Sequence, residues 1–149
     1  MSIEYDKFDV LEQADSVCFI FSSTMDNIDR VIIEAIDYLY SRTDGIKQHA
    51  FAINLVLREG LTNAIRHGND NDPRKDVKLT VGVSDNKLIK IAIEDQGQGF
   101  DWKEHQDADL PEDEDHGRGI IIIDTYFTNH FYNDKGNILY LEKEILSGF

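Results

Sequence analysis

Residues 77–95 read VKLTVGVSDNKLIKIAIED. The first segment, VKLTVGVS (77–84), and the second, KLIKIAIED (87–95), each alternate apolar and mixed positions. Such a period of two belongs to a strand with one covered face. Asp85-Asn86 between them is a hairpin turn signal, so the two strands pair antiparallel. A sheet of this kind needs helices on its apolar side, and the flanking sequence supplies them.

Upstream, SVCFIFS (16–22) is β-branched and aromatic enough for a strand. Ser23 and Thr24 follow as candidate helix caps, with Asp26 three residues after Ser23. Ile28, Val31, Ile32, Ala35, Ile36 and Leu39 then recur at helical spacing to about Ser41, and Asp44-Gly45 ends this helix. A second helix is predicted from about Lys47 to His67. At 100° per residue, Ile53, Val56, Leu57, Gly60, Leu61 and Ala64 form its apolar stripe. Gly68 closes it, and NDNDPRKD (69–76) is a turn-rich loop.

Downstream of Asp95 the character changes. DWKEHQDADLPEDEDH (101–116) holds eight acidic residues and one lysine without clear periodicity, so a surface loop or lid is predicted. Gly117-Arg118-Gly119 opens the run IIIIDTYF, which by pattern alone suits a helix or a buried strand. The preceding glycines and the following turn-and-strand pattern favour a helix. NHFYN and NILYLEKEI form a closing hairpin around Asp134-Lys135-Gly136. The sum is an α+β chain, a two-layer α/β sandwich with three helices on one face of a mostly antiparallel sheet.

The 149 residues suit one domain over residues 1–149, with a core from about 16 to 145. A composition 41% hydrophobic and 30% charged is that of a globular chain. The formal charge of −14 argues against nucleic acid as the main partner, since phosphate binding needs a basic face. It would instead steer the protein towards basic partners, or serve solubility alone. The single cysteine, Cys18, sits in an apolar run and reads as a buried, inert thiol. The N-terminus does not have the form of a signal peptide, and no apolar run approaches the about 20 residues of a membrane span. A cytoplasmic protein is expected.

Three polar groups interrupt this scheme. EGLTNAIRHG (59–68) sets Asn63 and His67 at one edge of the buried stripe, with Glu59 and Arg66 just beyond. An amide oxygen suits a hard cation such as Mg²⁺, and a carboxylate one turn away could deprotonate a hydroxyl or water. A solvated helix flank is the plain alternative. In Asp95-Gln96-Gly97-Gln98-Gly99, a carboxylate at a strand end could accept a hydrogen bond from an exocyclic amine, and the glycines allow close backbone approach. Gly117-Arg118-Gly119, at the predicted helix start, could cradle phosphate on free backbone N–H groups, with Arg118 adding a charge-assisted contact. It is neither a P-loop nor a Rossmann fingerprint.

In this order the three groups resemble the GHKL ATPase superfamily, which includes the nucleotide-binding domains of gyrase and histidine kinases. EGLTNAIRHG is similar to its N box, DQGQGF to its first glycine box and GRGI to its second. Within the superfamily the chain most resembles the bacterial anti-sigma-factor serine/threonine kinases, whose N box reads E-x-x-T-N-A-x-x-H-G. The resemblance covers roughly residues 16 to 145 and implies a Bergerat-type ATP-binding fold.

It further implies ATP and Mg²⁺ as cofactors. Asn63 would coordinate the metal and Glu59 would be the general base towards a protein hydroxyl. Asp95 would hold the adenine amine, with Gly97 and Gly99 shaping the pocket, and residues 100–116 would be the ATP lid. Gly117, Arg118, Gly119 and Ile120 would meet the phosphates, Thr62 and His67 match fixed positions of the N box, and Arg66 and His67 would lie along the same nucleotide-binding edge. One departure stands out: Asp115 and His116 occupy the place before the second glycine box where some relatives carry an arginine.

The function so implied is phosphorylation of an anti-sigma-factor antagonist together with binding of a sigma factor, in a protein that could form a homodimer. The alternative is an ATP-binding regulatory module with weak catalysis that controls a signalling partner by direct contact.

Overall fold

The computed structural model of the chain describes residues 6–85, 87–99, 127 and 129–145. The elements in chain order are β1 (Phe8–Glu12), β2 (Ser16–Ser22), α1 (Asp26–Arg42), α2 (Ile46–Asn63), β3 (Asp76–Ser84), β4 (Leu88–Glu94), β5 (Asn129–Tyr132) and β6 (Ile138–Glu144). A π-helical turn, Ala64–Gly68, continues α2. The six strands form one sheet in the order β1-β2-β3-β4-β6-β5, and every pairing is antiparallel. The α+β sandwich expected from the alternation is therefore observed.

Register explains why one face is dry. Phe19, Leu79, Ile93 and Leu139 are successive cross-strand partners, as are Val17, Val81, Ile91 and Leu141. All eight are buried, in one core cluster with Ile28, Val31, Ile32 and Leu39 of α1 and Ile53, Val56, Leu57 and Leu61 of α2. Burying an aliphatic side chain of this size is worth about 1.5–3 kcal/mol, so these two rows and the helical stripes carry the fold. The opposite face runs Leu11, Cys18, Thr80, Ala92, Tyr140 and Phe131 across the sheet. There the rings of Phe131 and Tyr140 stack at 5.0 Å. Cys18 is buried, as its apolar run predicts.

Three expectations need correcting. First, a strand, β1, precedes the predicted 16–22: FDVLE mixes acidic and apolar residues because four of its five positions are exposed on an edge strand, paired among the described residues with β2 alone. Second, Ser23 and Thr24 do not cap α1. The helix starts at Asp26 after Met25, with no side-chain cap hydrogen bond. Ser23 is drawn instead to the carbonyl of Lys75, to which its hydroxyl donates at 2.8 Å. Third, the helix expected to run to His67 is α-helical only to Asn63 and then widens, with Asn69 N–H donating to Ala64 O at 2.9 Å. The third expected helix and the lid at 100–116 lie outside the described residues. Among the described residues no helix is long and apolar enough to cross a membrane.

Candidate functional site

The C-terminal half of α2 is pressed onto the sheet by its apolar stripe, and Gly60 lets it come close. A Cβ at Gly60 would stand 2.6 Å from Ile93 Cδ1. That contact fixes the height of the polar edge above β4. Glu59, Thr62 and Asn63 are half-buried there, whereas Arg66 and His67 are exposed. The π turn Ala64–Gly68 carries Arg66 and His67 beyond the α-helical part of α2. Asn63 thus lies in the half-buried part of the edge and His67 in its exposed outer part. Single π turns inside helices recur at functional sites.

Asp95 follows β4 at two residues beyond Ile93, so the pleat sends its side chain to the helix side of the sheet. It meets the end of the π turn directly. A Cβ on Gly68 would collide with the Asp95 carboxyl, and a Cβ on Gly97 would collide with the Gly68 carbonyl. Only glycine at both positions permits this backbone-to-side-chain stack. Gly99 has φ +82° and packs its backbone on the carbonyl of Lys135, so it needs glycine for conformation as well as space.

The Asp95 carboxylate accepts the Gly97 N–H through Oδ1 at 2.8 Å, while among the described residues no protein donor meets Oδ2. Burial pushes the Asp95 carboxyl above the usual carboxylate range, with the Gly97 N–H opposing. The nearby Tyr132 hydroxyl is pushed up to about 12, chiefly by burial and then by the Asp95 charge. A half-buried carboxylate with an unused oxygen is an acceptor prepared for an N–H donor from a ligand.

The backbone around Asp95 is tied on both sides. Asp95 N–H donates to Asn137 O at 3.0 Å, and Asn137 Nδ2 donates to Asp95 O at 3.1 Å. Gln96 N–H donates to Asn69 Oδ1 at 2.7 Å, and the Gln96 side-chain oxygen accepts from Asp76 N–H at 2.7 Å. Neither Asn69 nor Asn137 was singled out from sequence. Their partners lie 27 and 42 residues away, and an asparagine in NDND or after a Gly reads only as a turn residue.

Of the site residues expected from sequence, the structure thus brings Asp95 and Gly97 against Gly68, and Gly99 onto the β5–β6 turn. Asn63 ends the α-helical part of α2 with its amide free of side-chain hydrogen bonds among the described residues. Gly117, Arg118, Gly119 and Ile120 lie outside the described residues.

Comparison with known proteins places this geometry in a family. Residues 21–143 match the histidine kinase-like ATPase domain. The chain is 32% identical over 100 residues to the anti-sigma F factor of Geobacillus kaustophilus (strain HTA426), covering 62% of this chain and 68% of that one. It is 29% identical over 115 residues to the anti-sigma F factor of Shouchella clausii (strain KSM-K16), covering 74% and 76%. With the anti-sigma F factor of Clostridium perfringens (strain 13 / Type A) the identity is 26% over 134 residues, covering 85% and 93%. The match spans β3, β4, the π turn and the Asp95–Gly99 segment alike, and the chain belongs to the histidine kinase-like ATPase domain family.

Proposed function

We propose that the protein is an ATP-dependent protein serine/threonine kinase that also acts as an anti-sigma factor, phosphorylating an anti-sigma-factor antagonist and binding a sigma factor. The observation that carries this reading is the half-buried Asp95 carboxylate, with no donor to Oδ2 among the described residues, stacked on the end of the helix that bears Glu59 and Asn63. Membership of an ATPase domain family and likeness to proteins named anti-sigma F factor support it.

In this reading Asp95 accepts the adenine amine, and Gly97 and Gly99 leave room for the base. Gly117, Arg118, Gly119 and Ile120 contact phosphates, with Arg66 and His67 at the outer end of the same edge. The Asn63 amide offers a hard oxygen donor, which fits Mg²⁺. Among the described residues no three His, Cys, Asp or Glu side chains converge, so such an ion would complete its shell with water and phosphate oxygens. When bound it neutralises phosphate charge. Glu59 takes the proton of the antagonist's hydroxyl as that oxygen bonds the terminal phosphorus and ADP departs. The acidic surface favours the basic segments of a sigma factor.

The alternative, a regulatory ATP-binding module with weak catalysis, is favoured by Asp115 and His116 standing where some relatives carry an arginine. The two part in one experiment. The protein, labelled ATP, Mg²⁺ and an anti-sigma-factor antagonist are mixed, and serine and threonine are assayed for label. Transfer should occur with the wild type and fall at least a hundredfold with Glu59→Ala, the scale of a general base. ATP binding without transfer by either protein selects the module.

A further inference from the structure

Asn69 is 0% exposed, a primary amide in a position that packing alone would give to an apolar residue. It is held because its hydrogen-bonding groups are engaged on three sides. Nδ2 donates to Ser23 Oγ at 2.6 Å and to Asp76 O at 3.0 Å, and Oδ1 accepts from Gln96 N–H at 2.7 Å. Ser23 in turn donates to Lys75 O, so it cannot also donate to a residue at position 69. The amide therefore has one allowed orientation, with its oxygen towards the residue that follows Asp95.

On the opposite side, Asn137 closes a two-bond ring with the main chain of Asp95. Its own side chain is fixed by Asn133, whose Nδ2 donates to Asn137 Oδ1 at 2.8 Å. Asn133 Oδ1 accepts the N–H groups of Gly136, Asn137 and Ile138, each at 3.0 Å, which locks the β5–β6 turn. Asp95 N–H and C=O, Gln96 N–H and Gly97 N–H are thus all committed. Between the two asparagines the only freedom left to Asp95 is in its side chain, and the Gly97 N–H and the bare Gly68 backbone restrict that too.

We propose that Asn69 and Asn137 are positioning residues that clamp the Asp95 segment from its two sides and so set the preference for a purine carrying an exocyclic amine. The proposal rests on the nucleotide-site reading and adds to it the residues on which base selectivity depends. A pocket built to pair a ligand N–H discriminates through an acceptor held in place, because a mobile acceptor turns to water when the amine is missing. The clamp draws on the end of the π turn, which Ser23 of the β2–α1 junction supports, and on the β5–β6 hairpin, which reach the Asp95 segment from its two sides.

Competition between ATP and purine riboside triphosphate, which lacks the amine, tests this. Both ligands bind only folded protein, so the ratio of their affinities is unaffected by loss of stability. The wild type should prefer ATP by roughly tenfold or more, the scale of one hydrogen bond to a charged group. Asn69→Ala and Asn137→Ala should each bring that ratio to within about threefold of unity, while Ile53→Ala, a core control, lowers the melting temperature and leaves the ratio at its wild-type value. In an Asp95→Ala background, adding Asn69→Ala should change the ratio no further. A wild-type ratio retained by the asparagine variants overturns the clamp. A wild type that binds ATP without preferring it, or does not bind it, overturns the nucleotide-site reading instead.

Discussion

Asp95 carries a cost that its function would justify. Its folded-state pKa lies above the ordinary value of 3.8 because burial penalises the charge. A carboxyl shifted this way contributes stability that is fully present below the unfolded pKa and lost as pH rises through the folded value. Once ionised, the side chain therefore weakens the fold. Asp95→Asn removes the charge and keeps an oxygen for the Gly97 N–H, so its melting temperature should exceed that of the wild type at pH 7. The difference should shrink towards zero at about pH 3, where both forms are neutral. Calorimetry across that range checks it, and a variant no more stable at pH 7 refutes the burial account. Asn63 makes the opposite case. Its amide is half-buried and without a protein partner among the described residues, so Asn63→Ala should cost less than about 1 kcal/mol of stability. It should nevertheless abolish the Mg²⁺ dependence of ATP affinity. Titration at several Mg²⁺ concentrations decides this, and an unchanged dependence removes the metal role.

At the scale of elements, two glycines separate packing from recognition. A methyl at Gly60 meets the tip of Ile93, a flexible side-chain end, and helix propensity favours alanine by about 1 kcal/mol. Gly60→Ala should accordingly change stability by no more than about 1 kcal/mol in either direction, and leave ATP affinity near the wild-type value. A methyl at Gly97 meets the Gly68 carbonyl, which is backbone and cannot swing aside. Gly97→Ala must separate the β4 end from the π turn. It should reduce ATP affinity at least tenfold, the effect of misplacing one charged acceptor, with a change in urea midpoint smaller than that of a core truncation such as Leu61→Ala. Isothermal titration beside urea melts would show the split; equal effects of the two glycine variants on affinity would contradict it. The elements themselves were largely legible. β2, β3, β4 and the closing hairpin fell within a residue or two of their predicted bounds because alternation and turn residues are local signals. β1 was not legible, since an edge strand exposed at most positions needs no apolar alternation. Nor was the π turn, whose end, at Gly68 and Asn69, meets a segment 27 residues on.

For the whole molecule the dominant quantity is the charge of −14. A field of that sign accelerates encounter with basic partners and is screened within roughly 10 Å at 0.1 M salt. Association with a basic sigma-factor segment should therefore slow by roughly tenfold between low salt and about 0.5 M, while the dissociation rate changes far less. Stopped-flow measurement over that range tests it, and a salt-independent association rate would mean that the acidic surface serves solubility only.

The sequence by itself determined the sandwich. Apolar residues at periods of two and of about 3.6 have a single way to share one dry interface, and EGLTNAIRHG, DQGQG and GRG supply the family's polar marks in order. Only the tertiary structure decided how the first two of those marks are held. Ser23 left its expected cap for Lys75, α2 widened after Asn63, and two asparagines without motif or period closed on Asp95. The physical reason is range. Periodicity records which face of an element is buried, whereas a buried amide is satisfied by partners that the fold delivers from 27 or 42 residues away, and no local pattern encodes that meeting.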